Sequence, residues 1–434
     1  MSTESTNSEK VGGRISPPPK ADVESAPPRA PPAPPNGGLK AWLQVVGSWA
    51  IVFNTWGTII TFGDFQAFYE RGTLFTESSS NISWIGSIQS LMVFVVGAVI
   101  GPIYDRGYLK LLLLIGTFGI VFGHMMLSLC SEYWQVVLSQ GFVVGIGGGC
   151  LFVPALAVVQ PYFSSRLGLA LGIVATGSSL GGIIYPIIFI NLIERVGFAW
   201  TVRAMGFVAL GSLLVPLAVS EMRAKPPAVR RMLDLTAFSD GPFMLCILGC
   251  FLGYAGSHVS FFYIAYYGQA NGWMTGTLAL YLLPILNSAS AIGRVLPNWL
   301  ADKVGPVNVV IPGSLTIGVI LLCNLAVTNA AGIICTALFF GFLSGIFVAT
   351  PPLLFMVFTK DKTKLGARMG LAYALVGLSV LPGGPGAGGV LQHNSTRLDW
   401  VAAWVYAGVL PLSACLVFCG LRVWQAGTKL KVKV

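Results

Sequence analysis

The sequence predicts an all-α polytopic membrane protein, with twelve transmembrane helices arranged as two pseudo-symmetric six-helix bundles. Three observations carry that expectation. Of the 434 residues, 55% are hydrophobic and only 10% are charged. Soluble domains hold roughly 25% charged residues, so this chain cannot cover itself with a water-facing surface. Apolar runs of about 18 residues or more, each able to cross a ~30 Å hydrocarbon core, recur from Trp42 to Trp424. One sizeable internal polar loop, 220–240, divides those runs six and six.

Residues 1–38 are polar and proline-rich ("SPPPKADVESAPPRAPPAPPNGG"), the composition of a disordered tail. No apolar signal-peptide core precedes them, so the first span is expected to direct insertion. Spans at 42–69, 82–104, 111–129, 134–159, 167–191 and 201–219 make the first bundle, 39–219. After the loop at 220–240, spans at 241–268, 275–300, 307–327, 331–357, 366–391 and 400–424 make the second, 241–425. A basic tail, 426–434, follows.

With the N-terminus inside, 22 of the 26 Lys and Arg fall on the cytoplasmic side, and only Arg71, Arg195, Arg203 and Arg397 fall outside. This is a strong positive-inside bias, and it places both termini in the cytoplasm. The net charge of +10 is therefore a topology signal, and no nucleic-acid partner is expected. The eight cysteines show neither a disulfide framework nor zinc spacing, and they read as packing residues.

Two six-span halves related by an axis along the membrane normal form a transporter architecture. The residues give no support to an enzyme: there is no H-E-x-x-H pair, no clustered intramembrane acids and no Cys/His array, and no catalytic or metal-binding residue is assigned. No nucleotide-binding motif is present either, which excludes a primary pump. A transporter-like nutrient sensor is a remote alternative, because such proteins usually carry a long cytoplasmic domain and only short tails flank these spans.

Two charged turns interrupt the apolar sequence at matching positions. "GPIYDRGYLK" follows the second span and "GRVLPNWLADKVGP" the eighth. Gly101, Asp105, Arg106 and Lys110 in the first, with Gly293, Asp302 and Lys303 in the second, are expected to form a cytoplasmic gate. Each acid can accept from backbone N–H groups or a base across the seam between halves. Gly168 and Gly172 are four apart, as are Gly177 and Gly181, a spacing that lets helices approach closely. The run "LPGGPGAGG" (381–389) should loosen the eleventh span.

Charges and amides at membrane depth are costly and mark candidate sites. Arg294 could draw a carboxylate into a central cavity and hold it with its fork of donors. Asn287 lies two helical turns from it on about the same face, and Asn54 lies near the middle of the first span. His258 titrates near neutral pH and could bind substrate or carry a proton. Asp64, near the outer end of the first span, is a second candidate for proton coupling.

The charged turns resemble the major facilitator superfamily, whose second and third spans are joined by a G-x-x-x-D-[RK] turn. Gly101, Asp105, Arg106 and Lys110 match it, and Gly293, Asp302 and Lys303 match its weaker second copy. "NGGLKAW" (36–42), "FGDFQAFYE" (62–70), "YFSSRLGLALGIVATGSSLG" (162–181), "GFAWTVR" (197–203) and "LLPILNSASAIGRVLPNWLADKVGPVNV" (282–309) resemble the fungal branch of its monocarboxylate porter family. The resemblance covers roughly 36–425. It implies a secondary active transporter in the plasma membrane that moves a small organic acid or carboxylated metabolite by alternating access. Export is favoured over uptake of a monocarboxylate or of a vitamin such as riboflavin. It also implies an anion-binding role for Arg294, a protein that works as a monomer in the lipid bilayer, and no cofactor apart from a coupled proton.

The chain departs from the family in three places. Asn36 replaces an acid, the first span has no lysine after Lys40, and Ser290 stands four before Arg294 where animal members carry aspartate. The lactate–proton mechanism built on those residues does not transfer to this chain.

Overall fold

The computed structural model describes residues 2–4, 35–164, 166–223, 234–274, 278, 281–361, 364–391 and 398–427. Most of the expected N-terminal tail, residues 224–233 of the central loop, Arg397 and residues 428–434 lie outside the described residues. In chain order the long helices begin with α1 Leu39–Tyr69, α2 Ser79–Asp105, α3 Leu109–Leu127, α4 Tyr133–Tyr162 and α5 Leu167–Val219. They continue with α6 Gly241–Ala270, α7 Leu282–Val304, α8 Pro306–Ala326, α9 Ala330–Phe358, α10 Leu365–Leu391 and α11 Trp400–Ala426.

The expected twelve spans in two six-helix bundles are corrected by this arrangement. Among the described residues, ten helices are long and apolar enough to cross a membrane. The runs expected as the fifth and sixth spans form a single 53-residue element, α5, interrupted at Gly197, whose φ is 74°. The run expected as the eighth, α7, is not among the ten. It carries Asn287, Arg294, Asn298, Asp302 and Lys303, and these dilute its apolar character.

Helix association in a bilayer draws little from the hydrophobic effect, so close backbone approach and interhelical hydrogen bonds decide the packing. The seam between α1 and α5 shows this. A Cβ on Gly57 would lie 2.7 Å from Gly181 Cα, and one on Gly177 would lie 2.4 Å from the Trp49 carbonyl oxygen. The other two glycines of the repeated spacing face α7: Gly168 meets Asp302 and Gly172 meets the backbone at Arg294 and Val295. Helices α7 and α9 cross backbone to backbone at Gly293 and Phe342, while α2 packs on α10 where Phe94 covers Gly377.

Two helices are locally widened. α4 contains a π-helical stretch, Val137–Val144, and α10 contains another, Pro382–Gly386, inside the glycine–proline run. Prolines and a π-helix release backbone carbonyls from the regular ladder. In α10 three other helices use them. Ser80 of α2 donates to the Pro385 carbonyl at 3.3 Å, Tyr263 of α6 to that of Gly384 at 3.2 Å, and Tyr406 of α11 to that of Pro382 at 3.1 Å. The expected loosening is thus a broken helix pinned by three hydroxyls.

Candidate functional site

Two adjoining narrow cavities of about 20 and 40 Å³ lie between α1, α4, α5, α6, α9 and α10, and share Trp56, Tyr254 and Val348 in their walls. At that size they have room for water and are closed to a cargo in this state, which would enter only when the surrounding helices part. The walls are chiefly aromatic and aliphatic. Trp56 meets Phe94 edge-on at 5.2 Å between ring centroids and Phe152 at 6.0 Å, and Phe152 meets Tyr373 at 5.2 Å. Such rings offer wide, stiff faces on which a flat ligand can stack.

Polar groups in the walls are few. Ser178, Ser257 and Ser344 bond the carbonyls of their own helices, so their donors are already used. Tyr254 and Tyr373 line the second cavity, and neither hydroxyl is engaged by another described residue. His258 lines the first cavity and stacks on Tyr254 at 5.8 Å. Its Nδ1 sits 2.8 Å from the Tyr254 carbonyl. A carbonyl can only accept, so the neutral ring carries its proton on Nδ1 and keeps Nε2 as an acceptor.

Arg294 is fully buried just behind this wall. Its Nη1 donates to the carbonyl of Ala175, a cavity-lining residue, at 2.8 Å, and its Nε donates to Ser290 Oγ at 3.2 Å. Its Nη2 has no hydrogen-bond partner among the described residues. Tyr254 is within electrostatic reach of both Arg294 and Tyr373. Ser290 thus braces the guanidinium without neutralising it.

The two amides are used in packing. Asn54 is fully buried: its Nδ2 donates to the Ala50 carbonyl at 2.7 Å and to Ser212 Oγ at 2.8 Å, and its Oδ1 accepts from Tyr185 at 2.5 Å. Asn287 donates to the carbonyls of Leu283 and, across the α5–α7 seam, Gly182. Removing Asn54 orphans the Tyr185 hydroxyl. Asn54→Ala should therefore lower stability by about 1–3 kcal/mol, read as a drop in thermal melting of the purified protein; an unchanged melting temperature would show the network contributes nothing.

The gate residues spread over several contacts. Gly101 and Asp105 are buried at the end of α2, and Arg106 is exposed. Lys110 donates to the Leu217 carbonyl, tying α3 to the end of α5. Lys303 stands 3.5 Å over the Trp299 ring, and Gly293 packs on α9. Asp302 reaches across the α5–α7 seam. Its carboxylate oxygens lie 2.4 and 2.6 Å from where a Cβ on Gly168 would be, beside the first turn of α5, which lacks a side-chain cap. Free N–H groups there favour a negative charge by about 0.3–1 kcal/mol. Asp302→Asn should loosen this contact, and a cysteine placed at Leu171 should label faster in that background. Equal labelling would leave Asp302 as a solvated turn residue.

Asn36, just before α1, accepts at its Oδ1 from the Ser164 backbone N–H at 2.6 Å and from the Ser164 hydroxyl at 3.0 Å. Sequence reading overlooked another polar cluster. Arg368, at the start of α10, donates to Asp234 at 3.1 Å and Asp240 at 2.7 Å, with Lys364 3.9 Å from Asp234. The Thr236 hydroxyl, with help from Arg368 and Lys364, holds Asp234 below the usual carboxylate range. A depressed folded value stabilises the clamp above the unfolded pKa, and that contribution is lost only as the pH falls through the folded pKa. The clamp persists at neutral pH and fixes the residues before α6 to α10.

Residues 41–379 match the Major Facilitator Superfamily description. The chain is 54% identical over 384 residues to the "MFS-type transporter dbaD" of Emericella nidulans, covering 88% of this chain and 86% of that one. It is 37% identical over 396 residues to the "Fujikurins efflux protein" of Gibberella fujikuroi, covering 90% and 84%. Its fold is similar to the crystal structure of the Major Facilitator Superfamily transporter FucP in the outward conformation. The TM-score is 0.61 at 17% identity, covering 87% of this chain and 98% of that one. The matched length and the relatives' identity settle the family: the chain belongs to the Major Facilitator Superfamily and is a multi-pass, secondary active membrane transporter, not an enzyme.

Proposed function

We propose that this transporter exports an organic acid with an aromatic body, a secondary metabolite, across the plasma membrane by alternating access. One observation carries the reading: a narrow aromatic-walled cavity with two tyrosine hydroxyls not engaged by described residues lies against a buried arginine whose Nη2 has no partner among the described residues. The rings would hold the body of the cargo, and Arg294, through Tyr254 and Tyr373, would favour its acidic group. His258 Nε2 would accept from a cargo hydroxyl. The efflux named for the Gibberella relative supports the direction. The quoted motifs support membership of the fungal monocarboxylate porter branch, and the lysine and arginine distribution supports cytoplasmic termini.

The test uses Trp56, which lines both cavities. Its fluorescence, taken as the difference between wild type and Trp56→Phe, should be quenched by aromatic acids and not by short monocarboxylates. Preloaded vesicles should then release the bound acid. Quenching by short monocarboxylates alone would replace export with uptake of simple acids.

A further inference from the structure

Of the buried charged side chains, Asp64 towards the end of α1 and Arg294 have no ion-pair partner among the described residues, whereas Arg368 has two. Withdrawing a guanidinium and two carboxylates from water is costly, and an apolar cluster of similar volume would serve stability as well or better. What an arginine adds is geometry, because its planar fork meets carboxylates along fixed directions. Here Nε donates to Asp234 Oδ2 and Nη1 to Asp240 Oδ2. The Thr236 hydroxyl donates to the other Asp234 oxygen at 2.6 Å and fixes that carboxylate in turn. Asp240 is the N-cap residue of α6, so the first turn of α10 is set in place against the start of α6.

From this clamp a line of aromatic rings runs to the second cavity. The Arg368 guanidinium carbon stands 5.2 Å from the centroid of the Phe243 ring, in α6. Phe243 meets Phe355 of α9 edge-on at 6.3 Å, and Phe355 meets Tyr373 of α10 edge-on at 5.3 Å. Tyr373 lines the cavity, stacked on Phe94 at 5.8 Å and edge-on to Phe152 at 5.2 Å. Phe243 and Phe355 are fully buried. Enclosed rings have few torsions and no slack, so a shift at one is passed to the next. Both ends of the line belong to α10. The clamp draws its first turn onto α6, and Phe355, touching both helices from α9, props Tyr373 against Phe94 and Phe152.

We propose that Arg368 is a positioning residue: its clamp, acting through Phe243 and Phe355, sets the seat of the Tyr373 ring and hydroxyl in the cavity wall. When the first turn of α10 moves from α6, the line of rings slackens and Tyr373 leaves the seat made by Phe94 and Phe152. The segment before α6, which carries Asp234, thereby acts on the cavity without touching it. The role concerns the wall itself and holds for any molecule the cavity admits, acid or neutral.

The experiment is run on the full-length protein in lipid nanodiscs, with no cargo present. The reporter is Trp56, which meets both Phe94 and Phe152. Its emission is isolated as the difference between each variant and the same variant carrying Trp56→Phe. Arg368→Gln should make Trp56 several-fold more readily quenched by acrylamide. Arg368→Lys keeps a cation between the two aspartates and should recover part of the wild-type protection. Phe355→Leu should expose Trp56 to a similar degree, with Phe243→Leu as the alternative cut in the line. Combined with Arg368→Gln, either cut should add nothing beyond the larger single effect, because both act on one path. Where Arg368→Gln folds poorly, Asp240→Asn breaks one pair and leaves the pair with Asp234. A clamp that only stabilises the fold would lower the melting temperature and leave Trp56 quenching as in wild type, and that result would overturn the proposal. So would single effects that simply add.

Discussion

Replacing Arg294 with glutamine should weaken binding of an aromatic acid by about ten- to a hundredfold while leaving its methyl ester bound as before. A charge-assisted hydrogen bond contributes roughly 1.5–3 kcal/mol, and the one on offer is the Nη2 of a fully buried side chain. Arg294→Lys should fall between the two, because an ammonium keeps the charge without the guanidinium's second donor arm. Binding to purified protein, measured for acid and ester in parallel, separates this role from a purely structural one. If acid and ester weaken together, Arg294 is a brace between α5 and α7 and the cargo is not recognised as an anion.

A larger effect on folding is expected at Gly293. Here a Cβ would lie 1.8 Å from the Phe342 carbonyl oxygen, and at the same crossing one on Gly345 would lie 2.3 Å from the Gly293 carbonyl carbon. Both obstacles are backbone, so neither side can yield by changing a rotamer. Gly293→Ala must push α7 from α9, and overpacking of this kind costs about 1–3 kcal/mol or more. It would also shift the next residue, Arg294, away from Ala175. The expected result is a sharp fall in monodisperse protein on size-exclusion chromatography. Gly389→Ala, where a Cβ meets nothing within 4 Å, should behave as wild type. Equal yields of the two variants would show the α7–α9 crossing to be looser than described.

Composition and charge bias made the membrane class legible, because the bilayer demands long apolar runs and sorts basic residues by side. The number of spans was less legible. Whether two apolar runs form one broken element, as across Gly197, depends on a single backbone torsion that composition does not encode. α7 misled in the same direction: it was counted as an ordinary span, but the polar and charged groups it carries make it less apolar. Arg294 and Asp64 stood out because charge in lipid is rare. Trp56, Tyr254 and Tyr373 did not, since an aromatic residue in a membrane helix has the same letter whether it faces lipid, packs or lines a chamber. Only the three-dimensional arrangement shows which hydroxyls are left unengaged. Asn54 looked like a candidate ligand group by the same rule that exposed Arg294, yet its hydrogen-bonding capacity is absorbed by Tyr185 and Ser212. The pairing of Arg368 with two aspartates more than a hundred positions away has no local signal at all.

The break in α5 has a practical side. An unbroken helix of 53 residues would run to roughly 80 Å at 1.5 Å per residue, far more than a bilayer is thick. The interruption falls at Gly197, with open space where its side chain would be. A short epitope or a biotin acceptor peptide can therefore be inserted beside Gly197, with the glycine itself kept because its positive φ favours no other residue. Such a handle would let single molecules be tethered, counted and watched while they turn over cargo.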